Sequence, residues 1–247
     1  MMASIATRTW RVPNRMLQEF LGLTVLVWAG FFFMLVSGTL IAAIAIFGTV
    51  ETSVMAEADG VVAPYAGFIG GYVMYSLLPM HVANGQTRRE FGKQAAVFAP
   101  IFALAVALLM QVSFLLEWAL YSALDWPRDV SSEHLYSSAT QLHLVFTEHL
   151  LVFLVWIVAG GFVGAAFYRS SDLGAISIPL GLVLVSAAGI ALRGAWGPLG
   201  SIYEHLTGGP AELPLAIAVL IALLAAAVGG WLVWLTIRDI PIRSQSQ

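Results

Sequence analysis

The chain has 247 residues, of which 60% are hydrophobic and only 10% charged, with a formal net charge of −3. A soluble domain is about 25% charged, so a water-facing globule of this length is excluded, and no nucleic-acid partner is expected. There are no cysteines, which rules out disulfides, thiolate metal sites and cysteine nucleophiles.

Five stretches carry no Asp, Glu, Lys or Arg: Phe20–Val50, Gly60–Thr87, Gln94–Leu116, Leu173–Leu192 and Leu213–Ile237. A sixth, Gln141–Tyr168, is broken only by Glu148. A helix crosses a hydrocarbon core of about 30 Å with roughly 20 apolar residues, so each stretch is long enough to span. The predicted fold is all-α: a polytopic membrane protein of six transmembrane helices in one transmembrane domain covering residues 1–247.

In chain order, Met1–Gln18 is a basic lead-in helix with Trp10 as an interface anchor. It does not read as a cleavable signal peptide, because the first apolar run comes late and is too long for one. Spans are predicted at about 20–47, 61–81, 95–116, 141–168, 173–192 and 213–237. Between them lie a short outer loop at Glu51–Asp59, a polar inner loop at 82–94 and an outer loop at Ser122–Ser138. A very short inner turn follows at Arg169–Asp172, and a Gly/Pro-rich outer loop at 194–212. These connections leave no room for a soluble domain.

Orientation follows from the basic residues. With the N-terminus inside, nine of the eleven fall on the cytoplasmic side: Arg8, Arg11, Arg15, Arg88, Arg89, Lys93, Arg169, Arg238 and Arg243. Arg128 and Arg193 fall outside, together with most acidic residues. Both termini are therefore expected in the cytoplasm.

The inner loop between spans two and three is the most specific string in the chain. Pro79 weakens the end of span two, and Asn84-Gly85 supplies a turn. Thr87 then sits at an N-cap position with Glu90 three residues on, the spacing of a capping box. This predicts a short cytoplasmic helix carrying Arg88, Arg89 and Lys93 at the membrane surface, with Phe91 turned to protein or lipid. By itself the string also fits an ordinary basic inner loop.

A proline followed by Gly-x-Thr-Arg-Arg-x-Phe at this junction resembles the permease subunits of ATP-binding cassette transporters of the ABC-2 type. The six-span layout with both ends inside is similar to that family as well. The resemblance implies that the segment is a coupling helix docking on a separate ATPase subunit, with Gly85, Thr87, Arg88, Arg89, Glu90 and Phe91 at contact and hinge positions. It further implies a second permease copy or a related permease, and export across a prokaryotic cytoplasmic membrane. Outer loop 194–212 would hold short re-entrant helices. No phosphate-loop motif occurs in the chain. ATP would thus be bound and hydrolysed on the partner, and this subunit would hold no cofactor and be no enzyme itself.

Glu148 and His149 lie about nine residues into span four, which puts them near the membrane middle at about 1.5 Å per residue. Ionisable groups at that depth usually face the protein interior or a water-filled cavity. Three readings stand side by side: a substrate or proton site, a polar contact between helices with Gln111, Ser113 or Thr147, or metal or haem ligation by His143 and His149. The last would make the chain an intramembrane redox subunit or enzyme. His143 and His149 are six residues apart, about 600° around a helix, and so do not share a face. Glu117 and Arg193, at the outer ends of spans three and five, fit an ion pair or, more simply, two separate contacts with the outer interface. The small-residue run Ala159-Gly160-Gly161…Gly164 permits close helix approach.

Overall fold

Backbone in lipid has no water to bond to, and a helix is the one local structure that satisfies it within a single segment. The computed structural model describes residues 20–27, 30, 53–126, 134–138 and 140–239; all regular structure among them is helical. Helix α1, Val54–Tyr72, runs through a π-helical turn, Val73–Leu77, into α2, Leu78–Ala83. Then follow α3, Arg88–Ala123; α4, Leu142–Arg169; α5, Ser171–Arg193; α6, Gly200–Thr207; and α7, Leu215–Arg238. Among the described residues, five helices are long and apolar enough to cross a membrane: Gly60–Ala83, Arg88–Ala123, Leu142–Arg169, Ser171–Arg193 and Leu215–Arg238. The chain is a multi-pass membrane protein, helical throughout the regular structure of its described residues. Of the first expected span and the lead-in helix, only 20–27 and 30 fall within the described residues, and both are helical.

Several helices outrun the stretches that announced them. The expected outer loop at 51–59 is helical from Val54, because Ser53 caps the helix by accepting the Ala56 N–H at 3.2 Å. Near the other end, Pro79 lacks an N–H and its ring crowds the carbonyl four residues back. That carbonyl belongs to Tyr75, inside the π-helical turn. The wider turn absorbs the mismatch.

The inner loop is also shorter than expected. Helix α3 begins at Arg88, so the loop contracts from 82–94 to 84–87, and the separate short helix proves to be the first turns of α3 itself. A capping box starts a helix, and only Gly92 stands between it and the apolar stretch, at a cost of about 1 kcal/mol. Thirty-six residues make a helix about 54 Å long, well beyond the roughly 30 Å of hydrocarbon. Its basic first turns therefore project past the apolar layer.

Helix α4 forms the centre, packed by α1, α3, α5 and α7. The seam with α1 is drawn tight by glycines on both helices. A Cβ on Gly160 would collide with the Gly67 carbonyl, one on Gly164 with the Gly71 carbonyl, and one on Gly70 with the Ile157 carbonyl. In lipid, where apolar side chains gain little by leaving the solvent, such backbone approach is a main source of helix association.

The run 20–27 lies against α1 and α3. Phe20 meets Tyr72 and Phe98 edge-on at 5.8 and 6.0 Å, and the Thr24 hydroxyl lies 3.1 Å from that of Tyr65. It runs antiparallel to α1, since Phe20 is level with Tyr72 and Thr24 with Tyr65. Helices α4 and α5 form a tight hairpin around Ser170, whose hydroxyl accepts the Leu173 N–H at 3.2 Å. Arg169 Nη1 donates to the Thr236 carbonyl at 3.4 Å, which brings the last turn of α7 to the same end. Arg88, Arg89, Lys93, Arg169 and Arg238 accordingly gather at one end of the bundle.

Candidate functional site

The turn between α2 and α3 is built as a rigid corner. The N–H groups of Asn84, Gly85 and Gln86 donate to the carbonyls of Met80, Val82 and His81 at 3.1, 3.0 and 3.1 Å. Gly85 has φ +78°, a left-handed conformation that suits glycine. The capping box is complete: the Glu90 N–H donates to Thr87 Oγ1 at 3.2 Å, and the Thr87 N–H to Glu90 Oε2 at 3.0 Å. Phe91 is fully buried with its ring 5.0 Å from that of His81, whose Nδ1 lies 2.9 Å from the Leu77 carbonyl. Arg89 is exposed and Arg88 half-buried. The corner thus presents two cations while one buried aromatic pins it to both helices.

A second polar cluster lies towards the opposite end, and Glu148 is its hub. Its Oε1 is 2.5 Å from Arg193 Nε and 2.8 Å from His134 Nδ1, while Oε2 accepts the Leu135 N–H at 2.7 Å. The side chains of Glu148 and Arg193 are entirely buried. Arg193 is cationic in any protein setting, so it supplies the charge that makes a buried carboxylate tolerable. The Arg193 guanidinium also sits 4.5 Å from the ring centre of Trp196, a cation–π contact. Tyr136, fully buried, stacks on His134 at 4.7 Å and meets Phe114 of α3 edge-on at 5.5 Å. One carboxylate therefore joins α4, α5 and the segment 134–138.

Several expectations about these residues change. Glu148 is the seventh residue of α4, about 9 Å from the helix start, and so lies in its first third and not at mid-helix. Its partners are Arg193, His134 and Leu135. Ser113 donates to the Leu109 carbonyl at 3.0 Å and Thr147 to the His143 carbonyl at 2.6 Å. Gln111 has no hydrogen-bond partner among the described residues. The expectation that Glu117 and Arg193 reach the outer interface does not hold. Both are buried; Arg193 goes to Glu148, and Glu117 takes the start of α1, accepting from Ser53 Oγ at 2.7 Å and Met55 N–H at 3.2 Å.

His143 and His149 part company as their spacing requires. His143 is exposed. His149 is buried, with Nδ1 2.6 Å from the Val145 carbonyl and its ring among Phe114, Tyr136 and Phe153. No group of three or more His, Cys, Asp or Glu is disposed to hold a metal among the described residues.

The residues that sequence reading missed as partners are Arg193 and Ser53, and hairpin symmetry could have found both. Glu148 lies 22 residues before Ser170 and Arg193 lies 23 after it. Ser53 and Glu117 each lie 32 residues from Gly85. Residues equidistant from a tight antiparallel turn sit at the same depth. His134 and Tyr136 carried no comparable signal, because they lie outside the helices that the turns set in register.

No protein-family model matches the chain, and no curated protein or solved structure is significantly similar to it.

Proposed function

We propose that this chain is the permease subunit of an ABC-2-type transporter in a prokaryotic cytoplasmic membrane, with six spans and both termini cytoplasmic. A separate ATP-binding cassette subunit binds and hydrolyses ATP, and a second permease copy or a related permease completes the pathway. Cargo moves outward. The observation that carries this reading is the string Gly85–Phe91 forming a capped corner at the basic end. A load applied to Arg88 and Arg89 passes through the capping box into α3 and through Phe91 and His81 into α2. That is what a coupling element requires if nucleotide-driven closure is to rock one half of a bundle against the other. The antiparallel run 20–27 supports an N-terminus on the same side as this corner.

Isolation of the tagged chain from its native membrane in mild detergent, with mass spectrometry of co-purifying proteins, tests the proposal. A soluble chain with a phosphate-loop ATPase is expected, released by Arg88→Glu with Arg89→Glu. Its absence, or its indifference to that double reversal, overturns the assignment. The alternative of a metal- or haem-bearing redox subunit draws no support from the donors, since His143 and His149 occupy different faces and both Glu148 oxygens already have partners.

A further inference from the structure

At the basic end, α1, α3, α4 and α7 do not close on one another. They leave a cavity of about 350 Å³ walled by apolar groups including Val73, Phe98, Ile157 and Val233. Its mouth is different in kind, for Arg89 and Lys93 line it there. Along α3 the lining extends from Arg89 to Ala99, ten residues or about 15 Å. Since Arg89 and Lys93 lie at the polar surface, the lining reaches about 9 Å below Lys93 into one leaflet, with cations at the polar end and hydrocarbon-like walls below. Glu90 is the one acidic residue among these first turns, and its carboxylate is held by Thr87.

From this juxtaposition we propose that the crevice between α3, α4 and α7 is a binding site for an anionic membrane phospholipid. One acyl chain lies against Phe98, Ile157 and Val233, and the headgroup phosphate rests on Arg89 and Lys93. Basic pockets between membrane helices recognise anionic headgroups on this principle, and each cation near the surface adds to the attraction. A larger groove between α1, α4 and α5, of about 530 Å³, has no charged residue in its lining; it offers a chain slot with nothing to select a headgroup. The inference needs only that the chain spans a membrane and is independent of any ATPase partnership.

The test uses the isolated full-length chain, exchanged into nanodiscs of equal phosphatidylglycerol and phosphatidylcholine and released for native mass spectrometry of retained lipid. Phosphatidylglycerol is expected to exceed phosphatidylcholine by on the order of tenfold, from two cations at the mouth. Arg89→Gln with Lys93→Gln should bring that ratio close to unity. Arg88→Gln, which removes an equal charge one residue off the crevice lining, should lower it far less. A Cβ on Gly230 meets nothing within 4 Å although this residue lines the cavity, so Gly230→Phe fills the slot and should lower retention of both lipids. Size-exclusion profile and helical circular dichroism confirm that each variant folds. Equal retention of the two lipids by the unaltered chain overturns the proposal, as does selectivity that survives loss of Arg89 and Lys93. Retention that emerges only when residues 1–18 are removed assigns the crevice to that segment and likewise overturns it.

Discussion

Glu148 of α4 and Arg193 of α5 face each other across 2.5 Å with both side chains withdrawn from the surface. Each is the other's main compensation for leaving water. Removing one partner of such a pair costs about 3–5 kcal/mol, whereas replacing both with apolar groups of similar size is often neutral or stabilising. Glu148→Ala is therefore expected to destabilise the detergent-solubilised protein by about 3 kcal/mol or more, and Glu148→Leu with Arg193→Met to recover most of that loss. Thermal unfolding of the two single variants and the double decides it. Additive losses would mean the pair does not act as a unit.

The α1–α4 seam makes a contrast between glycines. Gly160→Ala puts a methyl group into the Gly67 carbonyl, and overpacking of this kind costs about 1–3 kcal/mol. Gly230→Ala meets nothing and should stay within about 0.5 kcal/mol of the parent. A melt in one detergent ranks the two, and equal effects would show that the seam yields easily.

Glu117 holds the start of α1 through Ser53 and the Met55 N–H. Hydrogen bonds to a charged group are worth about 1.5–3 kcal/mol each. Glu117→Ala should consequently speed amide exchange in the first turn of α1 while leaving the Gly160 seam protected. Uniform loss of protection along α1 would instead make Glu117 a determinant of the whole helix.

Thr87→Ala removes an N-cap hydroxyl, a change that costs about 0.5–2 kcal/mol. Faster exchange at Arg88–Phe91 is expected, with Thr87→Ser close to the parent. In the transporter reading the same variant weakens the response of the partner's ATPase to this chain. Wild-type stimulation combined with a frayed first turn would separate the corner's order from coupling.

The lack of cysteine makes single-cysteine labelling clean. With Arg238→Cys and Glu204→Cys, both exposed positions at opposite ends, an impermeant thiol reagent applied to intact cells should label the second and spare the first. The reverse pattern, or labelling at both, would contradict the proposed orientation.

Hydrophobic length and the absence of charge determined the helices by themselves, because in lipid a long uncharged segment has no alternative to being one. Thr87 and Glu90 likewise specified their capping box, since its donors and acceptors all lie within one turn. Positions just outside the apolar stretches read less well. Residues 54–59 look like loop by polarity and 88–93 like a separate short helix, yet local caps carry α1 and α3 through them. What sequence left open was partnership. Whether Glu148 meets Gln111, a metal or Arg193 depends on which helices are neighbours and at what depth. The one-residue turn at Ser170 places α4 beside α5 in register, and packing of Tyr136 against Phe114 carries His134 to the same carboxylate. The crevice, too, exists only because four helices meet incompletely at the end where the cations are. Side-chain chemistry was legible residue by residue, but three-dimensional proximity alone decided which charges neutralise each other and which still face outward.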